Sequence, residues 1–94
     1  MPASVYKFPF PDNETELELE LPRGSRPLHV DVQKGELQLW ALVPLLPSTD
    51  KRTFRIFGTG HPIPDGIYLR LDYINTFMTD GGTFVFHAFE VVNA

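Results

Sequence analysis

The chain contains no cysteine, which removes disulfides, thiolate metal sites, cysteine nucleophiles and thiol redox switching together. Serine is scarce as well. Ser4, Ser25 and Ser48 all fall in terminal or loop settings, and none sits on a strand-to-helix elbow of the kind that exposes a nucleophile. No apolar run approaches the roughly 18 residues needed to span a bilayer. Met1-Pro2-Ala3-Ser4 with Lys7 close behind lacks the basic region and apolar core of a signal peptide, so the expected location is the cytoplasm. An excess of basic charge is also missing. The net charge of -4, from 12 acidic and 8 basic residues, suits solubility and disfavours binding to long nucleic acid.

What is present is apolar and aromatic. The 94 residues predict a single domain spanning 1–94, and a 43 % hydrophobic content with eight phenylalanines is ample for one core without staples. Short extended segments alternate with Gly, Pro, Asn and Asp, and no repeat or linker interrupts them. Leu17, Leu19 and Leu21 alternate with Glu16, Glu18 and Glu20, the period of a half-buried strand with carboxylates outward. Together with Asp12 and Glu14 these acids form either a solvated strand face or an acidic contact surface. Leu28, Val30 and Val32 alternate with His29, Asp31 and Gln33, and Lys34-Gly35 turns the chain into a hairpin with residues 36–43. That fourth strand carries apolar residues on both faces and is expected to be central and covered on both sides. Pro44 and Pro47 end it, and Ser48 to Lys51 reads as an exposed loop. Strand character resumes over 52–57, with Phe54 and Ile56 inward. A long irregular connection follows, in which a single turn within 62–71 is the one expected departure from extended chain. Residues 73–79 and 83–92 form a final hairpin across Asp80-Gly81-Gly82, with the last strand central. Adding a short strand at 5–8, the fold class is all-β, a compact antiparallel sandwich or partly closed barrel of about seven short strands.

Trp40-Ala41-Leu42-Val43-Pro44, Arg52 with Phe54, Gly58-Thr59-Gly60-His61, Tyr73-Ile74-Asn75-Thr76-Phe77 and Val85-Phe86-His87-Ala88-Phe89-Glu90 follow one another along the chain. In that order they resemble a small uncharacterised domain family found mainly in bacteriophage and bacterial genomes. The resemblance runs over nearly the whole chain and implies a compact β-fold of phage or prophage origin. By analogy with small phage proteins lacking an enzyme signature, it suggests an accessory factor such as an inhibitor of host immunity.

The best candidate site is the loop Gly58-Thr59-Gly60-His61. Two glycines let backbone amides converge on an anion, while Thr59 and His61 add donors. The same glycines also serve a sharp exit from the sheet, with His61 satisfying a neighbouring carbonyl. No Lys-Ser or Lys-Thr follows, so this is not a nucleotide-binding P-loop. Tyr73, Phe77 or Trp40 would pack against the rest of a ligand. His87 reads as a near-core imidazole. The competing idea brings His61 and His87 together with Glu90, Asp72 or Asp31 on a divalent metal, although no local ligand spacing supports it.

The expected function is therefore a non-enzymatic binding or accessory protein without cofactor, acting on a host protein or a small anionic, nucleotide-like ligand, with counter-defence its most concrete form. A virion or assembly component would instead self-associate through edge strands, and a homodimer fits the same edges. A metal-dependent hydrolase would need His61 and His87 within reach of one another.

Overall fold

The computed structural model describes residues 2–11, 16–45 and 47–92. Asp12 and Glu14 of the acidic run lie outside these residues. Seven strands run in the order β1 (Ala3–Pro9), β2 (Glu16–Pro22), β3 (Arg26–Gln33), β4 (Glu36–Pro44), β5 (Thr49–Gly58), β6 (Leu71–Thr79) and β7 (Phe84–Val91). They build two antiparallel sheets, one ordered β1-β4-β3 and the other β2-β5-β7-β6. The sheets pack face to face as an open sandwich rather than closing into a barrel, with β4 central in the first and β5 and β7 central in the second.

The alternation of β2 works as expected. Leu17 and Leu21 are buried, and the glutamates face outward beside β5. There Glu16 meets Arg55 at 3.3 Å, Glu18 meets Lys51 at 4.0 Å and Glu20 accepts from the Thr49 hydroxyl at 3.1 Å. These acids are paired within their own sheet, each pair adding little stability. The core between the sheets is built from Leu17, Leu21, Val30, Leu39, Val43, Phe54 and Phe77 with their smaller neighbours.

Lys34 and Gly35 both adopt positive φ (53° and 78°), the geometry of a type I′ hairpin turn. At the β6–β7 hairpin Asp80, Gly81 and Gly82 all take positive φ (51°, 67° and 97°) in the longer connection between Thr79 and Phe84. A single 3₁₀ turn at Tyr68–Arg70 lies in the long connection.

Three expectations need correction. β5 begins at Thr49, so Thr49 to Lys51 belong to a strand that pairs with Leu21 and Pro22 rather than to an exposed loop. β4 is central but open on its outer face, where Leu42 is exposed and Trp40 half-buried against His29 (5.9 Å between centroids). On that face Lys7 reaches across to Gln33 at 2.6 Å, and Gln38 between them is buried. Lastly, β3 does not alternate simply. Its register shifts between Pro27 and His29, which leaves Leu28 41 % exposed while Val30 is fully buried. β6 carries a matching shift between Tyr73 and Asn75. Each bulge inserts one residue and reverses the faces of those that follow. Val30 and Asn75 thereby turn inward and meet. The Asn75 amide donates to the Val30 carbonyl (2.9 Å) and accepts from its N–H (2.7 Å).

Candidate functional site

The Gly58–His61 loop forms where β5 leaves the sheet. The Thr59 amide donates to the Val85 carbonyl at 3.2 Å and the His61 amide to the Gly58 carbonyl at 3.1 Å. Gly60 supplies the positive φ (83°) that lets the turn close. Of the Gly58 to Gly60 amides that an anion would draw on, that of Thr59 is thus committed to a carbonyl of the protein.

Gly58 serves a different purpose. A Cβ built on it would stand 2.8 Å from two atoms of the His61 ring, so glycine here leaves the imidazole room to approach the backbone. Gly58 pairs with Phe86, and both face the interior side of the four-stranded sheet. His61 therefore lies at the inner side, at the sandwich end. With Phe84, Phe86, Thr59 and Thr83 it lines an open cleft of about 210 Å³. Phe84 is 51 % exposed, which leaves a large apolar surface at the cleft wall.

His87 lies on the opposite face, because it pairs with Phe57 one position along the same strands. Its Nε2 meets the Thr59 hydroxyl at 2.7 Å and its Nδ1 the Thr76 hydroxyl at 2.9 Å. Thr76 Oγ1 continues to the Tyr73 hydroxyl at 2.8 Å. A neutral imidazole has one donor and one acceptor, and rotatable hydroxyls on both sides can satisfy either tautomer. Thr76 was not a sequence candidate, yet counting back from the Asp80–Gly82 turn places it opposite His87.

The remaining candidates scatter. Phe77 is only 5 % exposed and packs at a tilt on Phe86 (5.6 Å between centroids) in the core, away from the open surface. Tyr73 is exposed, but on the outer face against Phe89 (5.7 Å), away from His61. Trp40 belongs to the other sheet. Glu90 is buried on the inner face, where both its oxygens bond the Arg52 guanidinium, one contact being 2.9 Å from Nη2 and the other from Nε. Arg52 also donates to the Ser25 carbonyl at 3.1 Å. The hydrogen bonds that Arg52 donates to Glu90, then the Glu90 charge, hold the Arg52 guanidinium above its ordinary pKa against the opposing effect of burial. Asp72 stands across from Glu90, and Asp31 sits 3.5 Å from His29 on the far sheet. Among the described residues no group of three His, Asp or Glu side chains could hold a metal ion.

The family described as a domain of unknown function, DUF7352, matches residues 1–94. The chain belongs to this family. No curated protein and no solved structure matches it.

In this DUF7352 domain the segments singled out in the sequence divide by role. Asn75 joins the two sheets, Thr59, Thr76 and His87 tie the long β5–β6 connection to the sheet, and Arg52 and Glu90 close one end of the sandwich. Gly58, His61 and the half-exposed Phe84 remain as the surface with no such internal task. No helix among the described residues is long and apolar enough to cross a membrane.

Proposed function

We propose that this domain is a non-enzymatic binding module that recognises a protein partner through the cleft between His61, Phe84 and Phe86. The observation that carries this reading is the half-exposed Phe84 beside an imidazole seated on Gly58. An apolar wall with one polar edge suits a protruding side chain of a protein, as interface cores favour aromatic anchors. A small anionic ligand is the weaker form, since the Thr59 amide, central to the Gly58 to Gly60 set, is already bonded within the chain. A hydrolase acting through His61 and His87 finds little support in two imidazoles on opposite faces of one sheet. The resemblance to phage and bacterial domains supplies the setting: a phage-type accessory protein in the bacterial cytoplasm, with inhibition of a host defence protein as its most concrete role.

Native mass spectrometry of the protein purified from a bacterial host tests this reading. A bound polypeptide that is lost from Phe84→Ser, while the variant stays folded, supports it. Polypeptide retained equally by Phe84→Ser places recognition elsewhere, and a bound nucleotide would replace the protein partner with the ligand.

A further inference from the structure

Four strand edges border the two sheets, and three of them are defended. On β3 the hydrogen-bonding groups that point away from β4 belong to Pro27, Val30 and Val32. Pro27 has no N–H, Asn75 occupies both groups of Val30, and Asp31 Oδ1 accepts from the Val32 amide at 2.8 Å. On β6 the bulge at Ile74 breaks the row beside β3. On β2 the bond from the Arg23 amide to the Ser48 carbonyl (2.9 Å) sets the phase, so that Glu16, Glu18 and Glu20 carry the outward amides. A second β2 paired there would bring carboxylates opposite carboxylates, which is unfavourable.

β1 is different. Phe10 donates to the Leu37 carbonyl at 3.0 Å, and alternation then turns Ser4, Tyr6 and Phe8 toward β4 and Ala3, Val5 and Lys7 outward. Among the described residues no side chain caps those outward groups. Pro9 falls in the outward phase, where a missing N–H breaks no bond to β4. The strand is also uncovered: Val5 on the outer face is 54 % exposed and Tyr6 on the inner face 50 %.

We infer that β1 is a self-association edge, pairing antiparallel with β1 of a second copy about a twofold axis at Val5. The choice of a second copy comes from what the edge would meet across such an axis: exposed Val5 and Leu42 face their own copies, and the strand's one charge, Lys7, meets no like charge. With the axis at Val5, Ala3 meets the partner's Lys7, Val5 meets the partner's Val5, and each pair exchanges both N–H···O bonds. Val5 and the neighbouring Leu42 of each copy then form one apolar patch across the axis. On the inner face Tyr6 lies opposite the partner's Ser4. Lys7 is the one charge on the strand, and it falls beside alanine rather than beside its own copy. The two three-stranded sheets become continuous. This surface is separate from the cleft at Phe84.

Sedimentation velocity over a concentration series reads the outcome. The expected result is a shift to twice the chain mass as concentration rises. Val5→Pro removes an outward N–H without touching the β4 ladder, so it should stay folded by circular dichroism and sediment as a monomer. A wild-type monomer at every concentration, or Val5→Pro sedimenting like wild type, overturns the inference. Should Val5→Pro lose its fold, Val5→Cys decides: the new thiol, the sole one in the chain, should oxidise to a covalent dimer on the order of tenfold or more faster than Leu69→Cys, a position far from the axis. Equal rates overturn the inference.

Discussion

Asn75 on β6 bonds Val30 on β3 as a neighbouring strand would, donating to its carbonyl and accepting from its amide. A primary amide carries the same donor and acceptor as a peptide unit, so one side chain replaces one rung of a ladder between sheets that share no ladder. Val30 is fully buried, so water cannot take over. Asn75→Leu should therefore cost about 2–4 kcal/mol, the penalty of leaving a buried N–H and C=O unpaired. Urea unfolding checks this, and an unchanged midpoint would remove the staple from the stability of the domain.

Arg52→Met leaves Glu90 buried without its cation and should cost about 3 kcal/mol. Adding Glu90→Leu to it should recover part of that loss, which a double-mutant cycle by urea unfolding measures. The pH sign follows from the raised guanidinium pKa of Arg52. A base whose folded pKa is raised gives full stability below its unfolded pKa and loses it only on rising through the folded one. Arg52 therefore contributes no slope to stability across the neutral range.

Thr59→Val and Thr76→Val each remove one hydroxyl from His87 and should each cost about 1 kcal/mol. Their effects should not add, because both act on one ring that can change tautomer once a partner is gone. Strict additivity in thermal unfolding would show that the imidazole does not couple them.

Lys34 holds a positive φ that a Cβ disfavours, and Asn tolerates it better. Lys34→Asn should stabilise the β3–β4 hairpin by about 0.5 kcal/mol, seen as a small rise in Tm.

Gly58→Ala should push the His61 ring off the backbone with little loss of stability, because the displaced atoms belong to the end of an exposed, movable side chain. Amide NMR shifts confined to residues near His61 and Phe84 are the expected sign. Global unfolding would instead mean that the backbone, and not the ring, limits the site.

Much of the architecture was legible because alternation and turn chemistry are local signals. Glu16 to Leu21 alternates over its full length, and Lys34-Gly35 and Asp80-Gly81-Gly82 mark hairpins by the backbone they require. The bulges at Leu28 and Ile74 left no such mark, since one inserted residue shifts faces without any special residue type. That shift is what turned Phe77 from a candidate contact into core and Leu28 from core to surface. The candidate site was legible at Gly58 and His61. Its apolar wall was not, because Phe84 and Phe86 read as ordinary strand residues until the register places them beside the loop.

The bond between Asn75 and Val30 joins positions 45 residues apart in sequence and needs both bulges in place before its atoms can meet. Such a contact is expected to form late on the way to the native state, after the local hairpins that set the two registers. Its loss should accordingly leave the refolding rate almost unchanged and speed unfolding instead, so that one amide acts as a latch on the lifetime of the folded domain.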